Sequence, residues 1–448
     1  MNRAIGHGTA NLAHRSALSR RRPRDRFGSL LLLVMLPLAA TAEEGTSPSL
    51  TLPQLIATAQ RDNRDLRAAR YAVDIARARL VQAGALPNPR ITVDAVDDFA
   101  FRSEGGHSAS IGISQDFPVA GRISRQKKVA QFDVDLAQTE ILDGERRLAG
   151  EVAAAAYRLL VAGRQIQSRD SLMAVDERLA KATRTRFKAA EVSELDVNTI
   201  ALDIRRLAQE RALLLSQRKV LLQSLNRLLG RPADFALSVI EPLPAIHAPP
   251  PLDVALARAA GRRPDLLAAQ LQIDRAHADI ALAKAQRWED WSVAVGVQQD
   301  RQSITGVPPQ SVDRALRLNF TIPLPLKRNS RGQIAAAEAA AYQAEARMES
   351  LRLAVASDVT VAHEELATLQ VVLKAYDTDV LGLSERNVNV AEKGYVQGLV
   401  SLAEVVQTQR QHGELKSAAL ATLDQYLQAL VRLRRAIGDY PLLADSAP

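Results

Sequence analysis

Two hydrophobic periods alternate along the chain. Ile141, Leu148, Val152, Leu159, Ile166 and Met173 follow one another at spacings of 7, 4, 7, 7 and 7. This is a heptad with one four-residue stutter, and it predicts a long coiled-coil helix with a narrow apolar seam. No proline interrupts 119–231 or 326–440, so both runs can be helical throughout. Turns near 189–193 and 398–401 would fold each run into a hairpin. A helix from about 121 to 188 would be ~100 Å long. Elsewhere the period is two. Ala109, Ile111, Ile113 and Phe117 alternate with Ser108, Ser110, Gly112, Ser114 and Asp116. Trp291, Val293, Val295 and Val297 do the same, as do Leu316, Leu318, Phe320 and Ile322, and Ile91, Val93, Ala95, Phe99 and Phe101. These segments predict two β-hairpins, at 90–117 and 291–322, with strands of about 10 residues, the length of a tilted membrane strand.

The pattern is written twice. Leu52, Ala57, Ala59, Asp65, Leu66 and Ala68 recur as Leu252, Ala257, Ala259, Asp265, Leu266 and Ala268, at an offset of 200. Pro118 and Glu140 match Pro323 and Glu345 at 205; Phe187, Ser193 and Gly230 match Tyr395, Ser401 and Gly438 at 208. A slowly drifting offset over so long a span marks a duplication. The expected organisation is a first repeat at 43–230, a linker at 231–251 with six prolines, a second repeat at 252–438 and a tail at 439–448. Each repeat opens with a helical stretch (54–86, 253–287), continues with its β-hairpin and ends in its helical hairpin. Within the linker, 235–240 is suited to extended pairing.

Composition and charge change this picture at one end only. The 448 residues carry a net charge of +8. Residues 1–42 hold seven arginines and one acid, a net of +6, which leaves +2 for the rest. The basic stretch at 20–26, the apolar run at 30–38 and Ala40-Thr41-Ala42 form a secretory signal peptide that ends at residue 42. The charge therefore directs export and gives no support to nucleic-acid binding. There are no cysteines, which excludes disulfides, thiolate metal sites and cysteine nucleophiles. His363-Glu364 opens like a zinc-protease motif, but Ala367 stands where the second ligand is needed. Glu104 and His107, with Asp97 and Asp98, could bind a metal at an outer mouth, though a solvated loop explains them better. No catalytic residue, metal site or cofactor is expected.

A soluble sheet with one wet face has the same alternation. Export, duplication and the long helices favour a membrane sheet. Four strands cannot close a barrel, whose minimum is about eight, and an open edge is forbidden in lipid. Several copies must then share one barrel.

The repeat, the helix–hairpin–long-helix order and the tip segments Phe-Lys-Ala-Ala-Glu-Val-Ser at 187–193 and Tyr-Val-Gln-Gly-Leu-Val-Ser at 395–401 resemble the TolC-type outer-membrane efflux channels. Leu-Pro-Asn-Pro-Arg at 86–90, Ser-Gln-Asp-Phe-Pro at 114–118 and Ile-Pro-Leu-Pro-Leu at 322–326 are most similar to the heavy-metal, cobalt–zinc–cadmium branch. The resemblance implies a mainly α protein with a small β part. Its long antiparallel coiled-coil helices and four membrane strands per protomer would assemble as a homotrimeric α/β-barrel in outer-membrane lipid. It implies a periplasmic adaptor and an inner-membrane proton-driven pump of the RND type as partners, and a passive duct rather than an enzyme.

The resemblance also assigns residues. Glu404 falls on the first acidic position of the pore constriction and Gln407 on the second, where the archetype has another acid. A ring of Glu404 carboxylates would favour cations; a solvated helix face would use the same residue. Tyr395 and Asp196 match a tyrosine–aspartate bond that closes the tip, while Val400 replaces the arginine of that lock. Coiled-coil packing for Tyr395 and helix capping for Asp196 are the alternatives. Ala190, Ser193, Gly398 and Ser401 would contact the adaptor at the tip turns. Gly398 permits a left-handed turn, so the matching turn at Ala190 must differ or be strained. The implied function is an exit duct for heavy-metal cations. The alternatives are a channel for drugs or other small organic compounds, and a periplasmic adaptor or structural coiled-coil protein.

Overall fold

The computed structural model describes residues 49–97, 106–240, 242–301, 306, 308, 311–324 and 330–440. The expected signal peptide lies outside them, as do Asp98, Phe99, Phe101, Glu104 and Leu326. In chain order the elements are β1 (Ser49–Leu50), α1 (Leu52–Asp62), α2 (Arg64–Ala83), β2 (Arg90–Asp97), β3 (His107–Phe117), α3 (Arg122–Lys188) and α4 (Glu194–Leu228). Then come β4 (Ser238–Val239), α5 (Leu252–Arg262), α6 (Pro264–Ala285), β5 (Trp291–Arg301), β6 (Asp313–Thr321), α7 (Arg331–Ala375), a π-helical turn (Tyr376–Val380), α8 (Leu381–Val396) and α9 (Leu402–Ile437).

The helical stretches that open each repeat are two helices each, not one. Asn63 stops α1 and starts α2: its side chain accepts from the Leu66 amide at 2.9 Å and donates to the Leu228 carbonyl at 2.9 Å. Pro264 sits at the first position of α6, where its missing N–H costs nothing, and it breaks the helix behind it. Of the six heptad positions, Ile141 and Met173 are half-buried. Leu148, Val152, Leu159 and Ile166 are all buried on the 67-residue α3. Ala149, Ala153 and Ala156 let neighbouring helices approach closely, and Leu55, Ala59, Ala255, Ala259, Val359 and Leu427 complete the core around the middle of α3.

The linker is pinned to this core. Ser238 and Val239 pair in parallel with Ser49 and Leu50. The Tyr426 hydroxyl takes both backbone groups of His247, accepting from the amide and donating to the carbonyl at 3.1 Å each. A buried ionic group ties the repeats together. Arg146 of α3 bonds Asp143 and the Arg435 carbonyl of α9 at 2.5 and 2.6 Å. Arg263 bonds Asp265 at 2.5 Å and the Ala436 carbonyl at 3.3 Å.

The β-hairpins form one antiparallel sheet in the order β2-β3-β5-β6. Its centre is the β3–β5 ladder, in which all 11 residues of β3 pair across the repeats, from His107↔Arg301 to Phe117↔Trp291. Register sorts the faces. Ile91, Ile113, Val295 and Leu318 form one row, and Val93, Ile111, Val297 and Leu316 the next. This apolar face is exposed, with Ile91 at 74% and Leu316 at 70%. Phe117, Trp291 and Phe320 border it at the helical end. The other face carries Thr92, Asp94, Ser110, Ser114, Gln298, Asp300, Arg317 and Asn319, with an Arg90–Asp116 ion pair. No described helix is long and apolar enough to cross a membrane.

Two backbone positions make opposite predictions. Ala190 is left-handed at φ 58°, which a β-carbon disfavours by roughly 1–2 kcal/mol. Ala190→Gly relieves that strain but loosens the unfolded chain, so a net gain of about 0.5–1 kcal/mol is expected. It should appear as slower amide hydrogen exchange across the turn; faster exchange refutes it. Gly230 is also left-handed, and a β-carbon there would lie 2.3 Å from the Asp62 carbonyl oxygen. Gly230→Ala should cost more than about 2 kcal/mol in denaturant unfolding.

Candidate functional site: the hairpin tips

The chain turns back twice at equivalent tips, and the backbone is the same in both. At the first, the Ala190 amide bonds the Phe187 carbonyl and the Glu191 amide bonds the Arg186 carbonyl, both at 2.9 Å. At the second, Gly398 bonds Tyr395 at 3.0 Å and Leu399 bonds Gly394 at 2.8 Å. The left-handed residue is Ala190 in one and Gly398, at φ 74°, in the other. Each returning helix then starts with a reciprocal capping box.

The capping boxes account for two of the sequence-assigned acids. Ser193 caps α4; its amide and hydroxyl donate to Asp196 Oδ2 at 3.0 and 2.8 Å, and the Asp196 amide donates back to Ser193 Oγ at 3.3 Å. Ser401 caps α9 in the same way, with both donors 3.0 Å from Glu404 Oε2. Asp196 and Glu404 are thus structural equivalents, each on the third residue of its helix. Asp196 is the acidic partner of the cap, and Ser193 is the capping residue itself. The Ser401 amide and then its hydroxyl hold the Glu404 carboxyl below the usual carboxylate range. Glu404 and Gln407 are both exposed, one helical turn apart.

Tyr395 is 2% exposed and has a partner other than the expected one. Its hydroxyl lies 2.8 Å from the buried Thr183 Oγ1 on α3. Arg186 stacks over its ring at 5.0 Å and donates to its carbonyl at 3.1 Å. Within the protomer, then, Tyr395 bonds Thr183 while Asp196 bonds Ser193. The cause is geometric: the cap draws the Asp196 carboxylate to its own helix start, and the phenol points into the seam between α3 and α8. Tyr395 sits in a small apolar cluster with Leu179, Ile200, Leu402 and Val405.

Ala190, Ser193, Gly398 and Ser401 are all exposed at the turns. Sequence reasoning missed their apolar neighbours: Leu399 is 78% exposed, and Val396 and Leu195 are also bare. It also missed a buried group of charges inward from the tips. There Asp203 of α4 meets Arg410 of α9 at 2.8 Å and Arg206 at 3.1 Å. A regular apolar spacing reports none of these. Among the described residues no cluster of three or more histidines and acids could hold a metal ion.

Comparison with known proteins places this architecture. The model of the family described as "Outer membrane efflux protein" matches residues 55–231 and 255–439. The cobalt–zinc–cadmium resistance protein CzcC of Cupriavidus metallidurans is 22% identical over 392 residues, 87% of this chain and 90% of the relative. The solved outer-membrane channel OprN superposes with a TM-score of 0.70 at 20% identity, covering 86% of this chain and 89% of that one. The solved CusC gives 0.70 at 18% identity, covering 86% and 92%. With the family model spanning both repeats, the chain belongs to the outer membrane efflux protein family, whose members are conduits and not enzymes.

Proposed function

We propose that this chain is the outer-membrane exit duct of a tripartite, proton-driven efflux system and that its cargo is heavy-metal cations. The sheet carries the reading. It has an exposed apolar face, a polar face and two open edges at β2 and β6, and it continues directly into long helical hairpins. Open edges in lipid must be paired, and three copies would close them into one barrel of twelve strands. The helical hairpins of those copies would form a periplasmic tunnel. An export signal at 1–42 would bring the chain to the outer membrane of a Gram-negative cell. The adaptor would meet the exposed turns at Ala190, Ser193, Gly398 and Ser401, with Leu399 and Val396 as apolar contacts, and an inner-membrane pump would drive the flow.

The similarity to the cobalt–zinc–cadmium resistance protein supports a metal cargo. So does chemistry: a duct for cations needs weak, exposed carboxylates, because tight ligation would hinder release. Glu404 would supply one such carboxylate per copy, beside Gln407. Small organic compounds are the alternative cargo. Deleting the gene should lower tolerance to zinc, cobalt, cadmium or copper and leave drug tolerance unchanged; sensitivity to drugs alone defeats the metal reading.

Glu404→Gln should reduce cation-over-anion selectivity in planar bilayers. Because its capping bonds keep Glu404 ionised below the usual carboxylate range, wild-type selectivity should persist as the pH falls to 5; equal selectivity in the variant removes Glu404 from the constriction. For closure, Tyr395 acts through Thr183 and Asp196 through the tip turn. Tyr395→Phe strands a buried hydroxyl, worth about 1 kcal/mol, and should raise open probability about fivefold. Unchanged open probability in both Tyr395→Phe and Asp196→Asn eliminates the lock.

A further inference from the structure

Inward from the tips, a cavity of about 290 Å³ lies where the two hairpins meet. Asp176 of α3 and Asp203 of α4 both face it, each 2% exposed. The cations there are already taken. Arg410 of α9 reaches Asp203 at 2.8 Å and Arg206 reaches it at 3.1 Å. Arg206 also pairs with Glu210 at 2.6 Å, and Arg169 of α3 pairs with Glu210 at 2.9 Å. From α8, Glu392 accepts from Gln409 of α9 at 3.0 Å, and Glu414 stands exposed at the rim. Three arginines thus pair with Asp203 and Glu210; no basic group among the described residues lies within ion-pair distance of Asp176, though Arg206 acts on it from farther away. The group that acts on it most strongly is the Asp203 carboxylate, which lines the same cavity. Two carboxyl groups can hydrogen-bond only if one of them keeps a proton.

We propose that Asp176 and Asp203 share one proton that helps latch the first helical hairpin to the second, and that losing this proton loosens the tips. Asp203 also receives Arg410 across the hairpin boundary, so the shared proton and the cross-hairpin ion pair meet on one carboxylate. Burial, and then the Asp203 charge, push Asp176 up to about 7. Burial pushes Asp203 up as well, but Arg206 and Arg410 outweigh it and hold that group below the usual range. The site therefore divides two like groups into an acid and a base, as close carboxylates must.

The sign follows from linkage. Asp176 and Asp203 lie on the same hairpin and stay together when the two hairpins part, but α9 then no longer covers Asp176; with less burial to raise it, the parted form binds the proton less tightly than the packed form. The contribution is fullest at low pH, declines as the pH rises and is gone above about 7, by up to tenfold per unit for one proton. The latch rests on the tips being the closing end of a tunnel, but its test reads helix separation and not transport.

The chain has no cysteine, so spin labels at Asn198→Cys on α4 and Ala403→Cys on α9 report on these helices alone. In the full-length protein in detergent, double electron–electron resonance should show a separated population that grows from pH 5 to pH 7 and then levels. Asp176→Asn, which keeps a donor for Asp203, should remain packed at every pH. A distribution that does not change with pH in the parent, or a pH response kept in Asp176→Asn, overturns the latch. Infrared spectroscopy of the unsubstituted protein gives a second reading: a protonated-carboxyl band must titrate near pH 7. Its absence overturns the latch even if the variant fails to fold.

Discussion

A peptide group placed in hydrocarbon has no water to bond, and this constraint governs the chain. Each repeat contributes only one β-hairpin, too little to satisfy its own backbone. The β3–β5 ladder joins the two hairpins across the duplication and satisfies the inner strands. It leaves one side of β2 and one side of β6 without a partner in the sheet. Whatever completes those edges must present a strand at the same height and tilt, and a copy of the chain does so by symmetry. The helices face no such demand, since their hydrogen bonds are internal. Hence a small sheet, which sets how copies assemble, is joined to a large helical part that can vary in length and packing.

The duplicated halves have drifted while keeping one backbone plan. Their tips share the same turn and the same capping box, yet Ala190 answers Gly398 and Asp196 answers Glu404. The main difference in backbone lies farther from the tips. The offset between repeats rises from 205 to 208 between Glu140/Glu345 and Phe187/Tyr395. The π-helical turn Tyr376–Val380 lies inside that interval of the second repeat, where the first repeat has unbroken α3. The extra residues and the π turn thus fall in the same stretch of the second repeat.

This also explains what was legible in the sequence. The heptads on α3 and the alternation in the four strands could be read, because each repeats often enough to stand above noise. The capping acids Asp196 and Glu404 also have a local signature, a serine three residues earlier. The breaks at Asn63 and Arg263 were harder to see, since the helical pattern continues on both sides of a single corner. Tyr395–Thr183 could not be read at all. It depends on the rotation of two helices whose residues lie far apart in sequence. Asp176 and Asp203 were hidden for a related reason: a buried acid on a helix has the same spelling as a solvated one.

Burying those charges needs a physical reason, because ion pairs taken out of water gain little net stability. Helices built from alanine and leucine offer many nearly equivalent packings, and a seam of small residues can slide by one turn at little cost. Charges cannot slide so freely. Moving Arg410 one turn past Asp203, or Arg146 one turn past the Arg435 carbonyl, would break the bond that crosses between helices and leave only the partner on the same helix. The ionic groups thus fix register where apolar packing cannot. They sit at two levels, one tying the repeats together around Arg146 and Arg263 and one near the tips around Asp203. The first holds closely packed helices that have no need to separate. The second lies nearer the tips, and there one carboxylate, Asp176, has no basic group within ion-pair distance among the described residues. A register device placed at a movable joint becomes sensitive to the charge of its weakest member.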